Sequence, residues 1–236
     1  MSRTQTLIIA IALLGLSGYV GLLLFANMST AGTQNIIKMW QKKGIIPDEG
    51  SWQKNFDGLQ TAIKYDPDNP EYLAYEAELY RYRAHMFDPQ SSQSIAANRE
   101  ALSKYQHLLT LRPSWAPYWG SIIGIKYELW EYDEQMTNAL HNAARLAPWF
   151  KANQHIILQT GFHGWPFIDL ETRRVINKTL ERAMQLQPEP TMRLALDQGF
   201  FDRIYPYVQD DEALKEMYER YVASMKKRLK GKEKRK

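Results

Sequence analysis

The side chains with the widest range of chemistry in this sequence are its five histidines: His85, His107, His141, His155 and His163. None of them belongs to an HExxH pattern, which would place two zinc ligands and a general base on one helix. His155 and His163 are eight residues apart, and Gly161 between them predicts a helix break. The chain has no cysteine, which excludes thiolate metal sites, CxxC redox chemistry and disulfides. We therefore predict no metal site.

Other patterns of reactive residues are equally sparse. The segment GFHGWP, residues 161–166, is not a phosphate loop, because it lacks the GK[ST] ending. No GxSxG or SxxK pattern indicates an activated serine. The acidic run 210–212 stands where a helix is predicted to begin, and there carboxylates stabilise the positive end of the helix dipole. We predict a protein that is not an enzyme and needs no cofactor. An enzyme acting on glycan through two carboxylates about 5–10 Å apart in a cleft is the least favoured alternative.

A binding surface needs no reactive group, and the sequence offers aromatic candidates for one. A tyrosine has a broad apolar face and one hydrogen-bonding tip, which suits an extended peptide or a sugar chain. The repeat register described next places such residues on the inner face of the first helix of each unit. The predicted partner-binding residues are Tyr72, Tyr75, Tyr82, Arg83, Tyr118, Glu128 and Asn153. The alternative is that these side chains simply pack helix against helix.

The elements that would position these residues are visible as a recurring stop signal. Four segments end in proline: LQTAIKYDP at Pro67, YQHLLTLRP at Pro113, LHNAARLAP at Pro148 and LERAMQLQP at Pro188. In each of them an apolar residue stands two, five and eight positions before the proline, which is helical spacing. Because proline has no N–H and its ring blocks the preceding turn, each segment predicts a helix that ends just before it.

The intervals between these prolines predict the fold. They are 46, 35 and 40 residues, close to the 34-residue tetratricopeptide (TPR) repeat of paired helices with inserted loops. We predict an all-α protein in which residues 33–225 form a TPR-like helical-hairpin solenoid, with the segment DEALKEMYERYVASMKKRL as a terminal capping helix. An irregular helical bundle whose helices happen to end in proline is the alternative.

The beginning of the chain predicts a membrane span. Residues 7–26 carry no charge, and about 20 residues at 1.5 Å each cross a hydrocarbon core of roughly 30 Å. We assign residues 7–27 to a single transmembrane anchor that follows a short segment, 1–6. A signal peptide cleaved near Ser29-Thr30-Ala31 is the alternative.

The charge distribution argues against nucleic acid. The net charge is +4, but residues 226–236 alone carry +7, so that residues 1–225 carry −3. A nucleic-acid-binding domain has its basic surface on the folded body, and this body is mildly acidic. The basic tail 226–236 is either a solvated end or a contact to an anionic surface such as lipid.

Three segments also resemble a known family. RPSWAPYW, EYDEQMTNALHNAARLAPW and GFHGWP make the chain similar to the VpsP-type proteins, small anchored TPR-like proteins of bacterial exopolysaccharide biosynthesis loci. The resemblance covers residues 35–190, and the tail from Lys226 departs from it. It implies an inner-membrane protein whose repeat domain lies in the periplasm.

The resemblance also implies a function. It implies a scaffold that assists synthesis or export of a surface polysaccharide without performing the transfer. The partners would be the membrane, proteins of the polysaccharide machinery, and a glycan chain as a further candidate. The alternative is an anchored assembly factor or chaperone for a membrane protein complex, which binds peptides and no glycan.

Overall fold

A computed structural model describes residues 3–233 of the chain, without the side chains of Ser29 and of residues 228–233. Over this range the protein is all-α and contains no strand, as the sequence predicted. The helices are α1 (Arg3–Lys43), α2 (Glu49–Tyr65), α3 (Pro70–His85), α4 (Ser92–Leu111), α5 (Ala116–Glu128), α6 (Glu134–Leu146), α7 (Lys151–His163), α8 (Leu170–Leu186), α9 (Pro188–Asp197), α10 (Phe201–Val208) and α11 (Glu212–Glu233). A short 3-10 turn, Trp165–Phe167, separates α7 from α8.

The helices α2, α4, α6 and α8 end at the predicted points, two residues before a proline. The residue directly before each proline has φ between −136° and −153° and ψ between 65° and 76°. A proline ring excludes the helical conformation from the residue that precedes it, so the helix cannot continue. The N–H of each such residue still donates to the carbonyl four residues earlier, which satisfies the last turn. The predicted stop signal is confirmed at all four prolines.

Side-chain caps fix where most of these helices begin. Asp48, Asn69, Ser91, Asp133 and Asp169 each accept a hydrogen bond from a backbone N–H in the first turn of the next helix. Such a cap is typically worth about 1 kcal/mol. The acidic run 210–212 has the predicted structural role, because Asp211 accepts from the Leu214 N–H at 3.0 Å and α11 begins at Glu212.

The first of two compact units ends at Pro113 and contains α1–α4. In it α1 packs on α2 and α3, α3 packs on α2, and α4 packs on α3. This is a pair of stacked helical hairpins, in which the C-terminal half of α1 is the first helix of the first hairpin. The buried residues of this half of α1 recur at heptad spacing, and they are Ala26, Thr30, Thr33, Ile37 and Trp40. Packing into the unit therefore begins at Ala26, while the predicted domain start at residue 33 stays a prediction.

The N-terminal half of α1 has a different environment from the C-terminal half. Its large apolar side chains between Leu7 and Phe25 are mostly exposed. The helix is long and apolar enough to cross a membrane by length and composition. No break or linker separates this exposed half from the half that packs into the first unit.

The second unit begins at Ser114 and repeats the hairpin arrangement. Here α5 pairs with α6 and α7 with α8, while α5 also contacts α7 and α6 contacts α8. First helices thus pack on first helices and second helices on second helices, which is a TPR-like stack. The helices α9, α10 and α11 pack on one another after it. The last, α11, continues to Glu233, so the predicted basic tail begins inside a helix, and its residues 234–236 lie outside the described range.

Close helix approaches in the second unit depend on two glycines. A Cβ on Gly120 of α5 would lie 2.4 Å from the Asn153 Oδ1 of α7, and one on Gly161 of α7 would lie 2.4 Å from the Ile176 Cδ1 of α8. The predicted helix break at Gly161 is wrong, because α7 runs through this residue to His163. Gly161 is there for packing, and the chain leaves the helix at Gly164 instead.

Candidate functional site

The three predicted tyrosines of α3 lie around the core of the first unit. We call this core, formed by Ala26, Ile37, Trp40, Trp52, Leu59, Ala62, Tyr72 and Leu79, the unit 1 cluster. Tyr72 is part of it, and burial together with the nearby Asp66 carboxylate raises the pKa of its phenol. Tyr75 and Tyr82 are half-buried against the cluster, and the Tyr82 ring meets that of Trp40 edge-on at 5.1 Å.

Arg83, at the end of α3, keeps an open face. Its guanidinium carbon lies 4.1 Å from the centre of the Trp52 ring, a cation–π contact, and its Nη2 donates to the Glu49 Oε1 at 3.2 Å. About a third of the side chain remains exposed. A partner can therefore reach Arg83, which is already held in one orientation by two contacts.

The three predicted residues of the second unit differ in exposure. Tyr118 is buried beside Trp115. Asn153 is buried as well, and its Nδ2 donates to the Ala116 carbonyl at 3.1 Å, which joins α7 to the start of α5. Glu128 is half-buried and has a partner within the chain.

The structure thus brings Tyr72, Tyr75 and Tyr82 to one core cluster, and it gives Tyr72, Tyr118 and Asn153 packing roles. These three buried side chains have little surface left for a partner. Tyr75, Tyr82, Arg83 and Glu128 retain some. Binding by any of the seven stays a prediction.

The segment GFHGWP forms part of an aromatic cluster around His163. The His163 Nδ1 is 2.8 Å from the Tyr132 Oη, and the rings of Tyr127 and Trp130 meet the imidazole edge-on. Burial, with a smaller effect of Tyr127, raises the pKa of Tyr132 to about 12. Gly164 is required here, because a Cβ would lie 2.0 Å from the Tyr132 Cε1. The imidazole is therefore enclosed by aromatic rings rather than by metal ligands.

No group of three or more metal-ligating side chains that could hold an ion occurs among the residues that the structure describes. His155 is exposed on α7, and His141 is placed by a 3.0 Å contact between its Nε2 and the Thr172 Oγ1.

A basic cleft between α6 and α8 was missed by the sequence reasoning. We call it the basic cleft. Its lining residues are His141, Ala144, Arg145, Pro148, Val175, Lys178 and Arg182. Its volume is about 330 Å³, and none of its lining residues is acidic. His141 with Arg145, and Lys178 with Arg182, are each four residues apart and so share a helix face. Cations from two helices around an apolar floor can bind a carboxylate or phosphate group.

Comparisons with known proteins give a structural likeness at low sequence identity. No family model and no curated protein matches the chain. The solved structures similar to it include a thermophilic TPR protein from Thermus thermophilus, with 17% sequence identity and a TM-score of 0.46. The match covers 81% of this chain and 99% of the other.

Proposed function

We propose that this protein is a non-catalytic, membrane-anchored adaptor built on a TPR-like stack. The observation that carries the proposal is α1, a single helix whose first half exposes its apolar side chains and whose second half is the first helix of the stack. Exposed apolar surface of this extent is costly in water and favourable in lipid. The stack would be held directly at the membrane surface, because no linker allows it to move away.

Helical stacks present side chains along a continuous face, which suits them to bind segments of other proteins. The partner surface that we propose lies in the first unit and comprises Tyr75, Tyr82 and Arg83. Glu128 and the basic cleft are separate candidate contacts within the second unit. Arg83 and the basic cleft favour partner segments that carry carboxylates.

The process that this adaptor serves is proposed from the sequence resemblance alone. The VpsP-type proteins that the chain resembles imply a place beside the enzymes that polymerise or export a bacterial exopolysaccharide. The repeat domain would then lie on the periplasmic side of the inner membrane. A role as assembly factor for another membrane complex is the alternative.

Two measurements test the proposal. Carbonate extraction of membranes should leave the full chain in the pellet and release a chain that lacks residues 3–22. Recovery of the full chain in the supernatant would contradict the anchor.

The second measurement places a photo-cross-linking amino acid at position 82 of the full chain. We expect a specific adduct with a membrane protein of the polysaccharide machinery, identified by mass spectrometry. The same probe at Tyr205, an exposed tyrosine of α10, is the matched control. Identical adducts from both positions would contradict the partner surface, and a partner from another complex would favour the assembly-factor alternative.

A further inference from the structure

We propose that the cleft at the base of α1 binds the zwitterionic headgroup of an amine-bearing phospholipid, a phosphate with a primary ammonium group. We call it the junction cleft, and it is lined by Leu23, Asn27, Asp66, Asn69, Pro70, Glu71, Tyr72 and Arg112. The inference rests on the proposed anchor, and it adds a ligand that the anchor alone does not require.

The position of the junction cleft follows from the continuity of α1. The 18 residues from Leu7 to Leu24 rise about 27 Å, close to the thickness of a hydrocarbon core. Leu23 and Asn27, which line the cleft, therefore lie where the acyl chains give way to headgroups. The cleft belongs to the first unit throughout, so its depth depends only on α1 and the helix ends packed against it.

The charges of the junction cleft match a zwitterion. Arg112 supplies a guanidinium, which binds phosphate oxygens through paired N–H donors. Asp66 and Glu71 supply carboxylates, which accept hydrogen bonds from a primary ammonium. Within the described part of the chain, the side chains of Arg112 and Glu71 form neither a hydrogen bond nor an ion pair with another residue.

The Asp66 carboxylate and the backbone of Glu71 are held in place before any ligand binds. Asp66 accepts from the Asn69 Nδ2 at 2.9 Å, and the Asn69 Oδ1 accepts from the Glu71 N–H at 3.0 Å. Both carboxylates also lie close enough to the Tyr72 phenol to disfavour its ionised form. The cleft is about 380 Å³, a size that a headgroup can enter.

Two aromatic residues that are close in sequence to lining residues of the cleft are suited to the membrane interface. Phe25 and Tyr65 meet edge-on at 6.1 Å between ring centres, and their side chains are 54% and 37% exposed. Amphipathic aromatic side chains concentrate at the headgroup level of membrane proteins. Tyr65 and Arg112 are held at this end by the proline stops after α2 and α4.

The chemistry selects ethanolamine-type over choline-type headgroups. A quaternary ammonium has no N–H to donate and is bound mainly by aromatic faces. Besides the Tyr72 ring, the junction cleft offers carboxylate and amide oxygens, which favour a donor. An anionic headgroup without the amine would face Asp66 and Glu71 unfavourably.

The test uses the full chain in detergent micelles and lipid retention measured by native mass spectrometry. Phosphatidylethanolamine, phosphatidylcholine and phosphatidylglycerol are offered in equal amounts. We expect at least fivefold higher retention of phosphatidylethanolamine.

Arg112→Gln should abolish this preference, and Glu71→Gln should shift it towards phosphatidylglycerol. Arg174→Gln, at an exposed arginine of α8, is the matched control and should change nothing. Equal retention of the three lipids, or an unchanged preference in both cleft variants, would overturn the proposal.

A further arm separates the headgroup from the lipid and the site from the anchor. Soluble glycerophosphoethanolamine should displace the retained lipid from the wild-type chain and have no effect on the Arg112→Gln chain. If carbonate extracts the chain from membranes but the chain still binds this compound, the binding site is supported with a soluble source for the headgroup, and the membrane anchor is contradicted. If the chain resists extraction but shows no headgroup preference, the membrane anchor is supported and the binding site is contradicted.

Discussion

Lys126 of α5 is a buried cation that joins the loop after α5 to the start of α6. Its side chain is 2% exposed, and its Nζ donates to the Glu131 Oε2 at 2.8 Å and to the Asp133 Oδ2 at 2.7 Å. The other oxygen of Asp133 caps α6 through the Met136 N–H. One ammonium group therefore pairs with two carboxylates and holds a helix cap in position, which offsets the cost of burying it.

Replacing this lysine should destabilise the protein strongly. In Lys126→Met the apolar stem is kept, while two carboxylates lose their common partner. We expect a loss of about 2 kcal/mol in the free energy of unfolding, below the range for fully buried pairs because Asp133 is half exposed. Urea denaturation of the full chain in detergent measures it. Lys178→Met, at an exposed lysine of α8, should cost less than about 0.5 kcal/mol, and an equal cost in both variants would contradict the argument.

Protonation of Asp133 should reveal the same contacts. Burial alone would raise its pKa, but the hydrogen bonds from Lys126 and from the Met136 N–H together outweigh burial and lower it. A carboxyl whose pKa is lower in the folded state stabilises the fold above its unfolded pKa of about 3.9, and this stability is lost as pH falls through the folded pKa. We expect the urea midpoint to fall as the pH decreases from about 5 to below 4, and to fall less in Asp133→Ser, where a neutral hydroxyl caps α6. An identical pH dependence in the two chains would show that Asp133 is not involved.

At the scale of the helices, Trp130 occupies a position where glycine is usual. It follows α5 with φ of 59°, and the Glu131 N–H next to it donates to the Lys126 carbonyl at 2.9 Å, as in a Schellman motif. Its ring is 62% exposed and contacts His163. A left-handed conformation costs a residue with a Cβ roughly 1–2 kcal/mol.

Two substitutions separate the backbone cost from the ring contact. Trp130→Ala and Trp130→Gly both remove the indole, and only glycine relieves the left-handed backbone. We expect the glycine variant to be more stable than the alanine variant by about 1 kcal/mol, opposite to their order inside a helix. Thermal unfolding followed by circular dichroism measures the difference. If alanine proves the more stable, the backbone at this position is not the one described.

The helices were more predictable than the site. Helix ends follow from a local cause, the proline after Tyr65, Leu111, Leu146 and Leu186, so the sequence alone located them. The continuity of α1 from the apolar run into the first hairpin was not predicted, because the heptad pattern after Ala26 directly follows an apolar run that already had an explanation. The aromatic residues of α3 occur on more than one face, so spacing could not tell buried Tyr72 from half-buried Tyr75. The basic cleft is lined by residues from two helices, such as 141 and 178, which are far apart in the sequence. Their proximity could not be predicted before the fold was known.

For the whole molecule, the N-terminal half of α1 is exposed and its C-terminal half packs into the first unit. We therefore predict that the apolar N-terminal half is dispensable for folding and that the packed half is not. A chain beginning at Leu24 keeps Ala26, Ile37 and Trp40 in the first unit. A chain beginning at Gly44 loses all three, and it uncovers the Tyr82 ring that Trp40 contacts.

The two truncations should therefore differ sharply in stability. The chain from Leu24 should fold with native far-ultraviolet circular dichroism and native tryptophan fluorescence. The chain from Gly44 should lose at least about 5 kcal/mol from the first unit, since removing a buried tryptophan alone costs about 3–5 kcal/mol. Urea denaturation followed by tryptophan fluorescence reports the difference, because Trp52 lies in the unit 1 cluster. Equal stability of the two chains would mean that α1 serves only as an anchor, and the stack would then begin at α2.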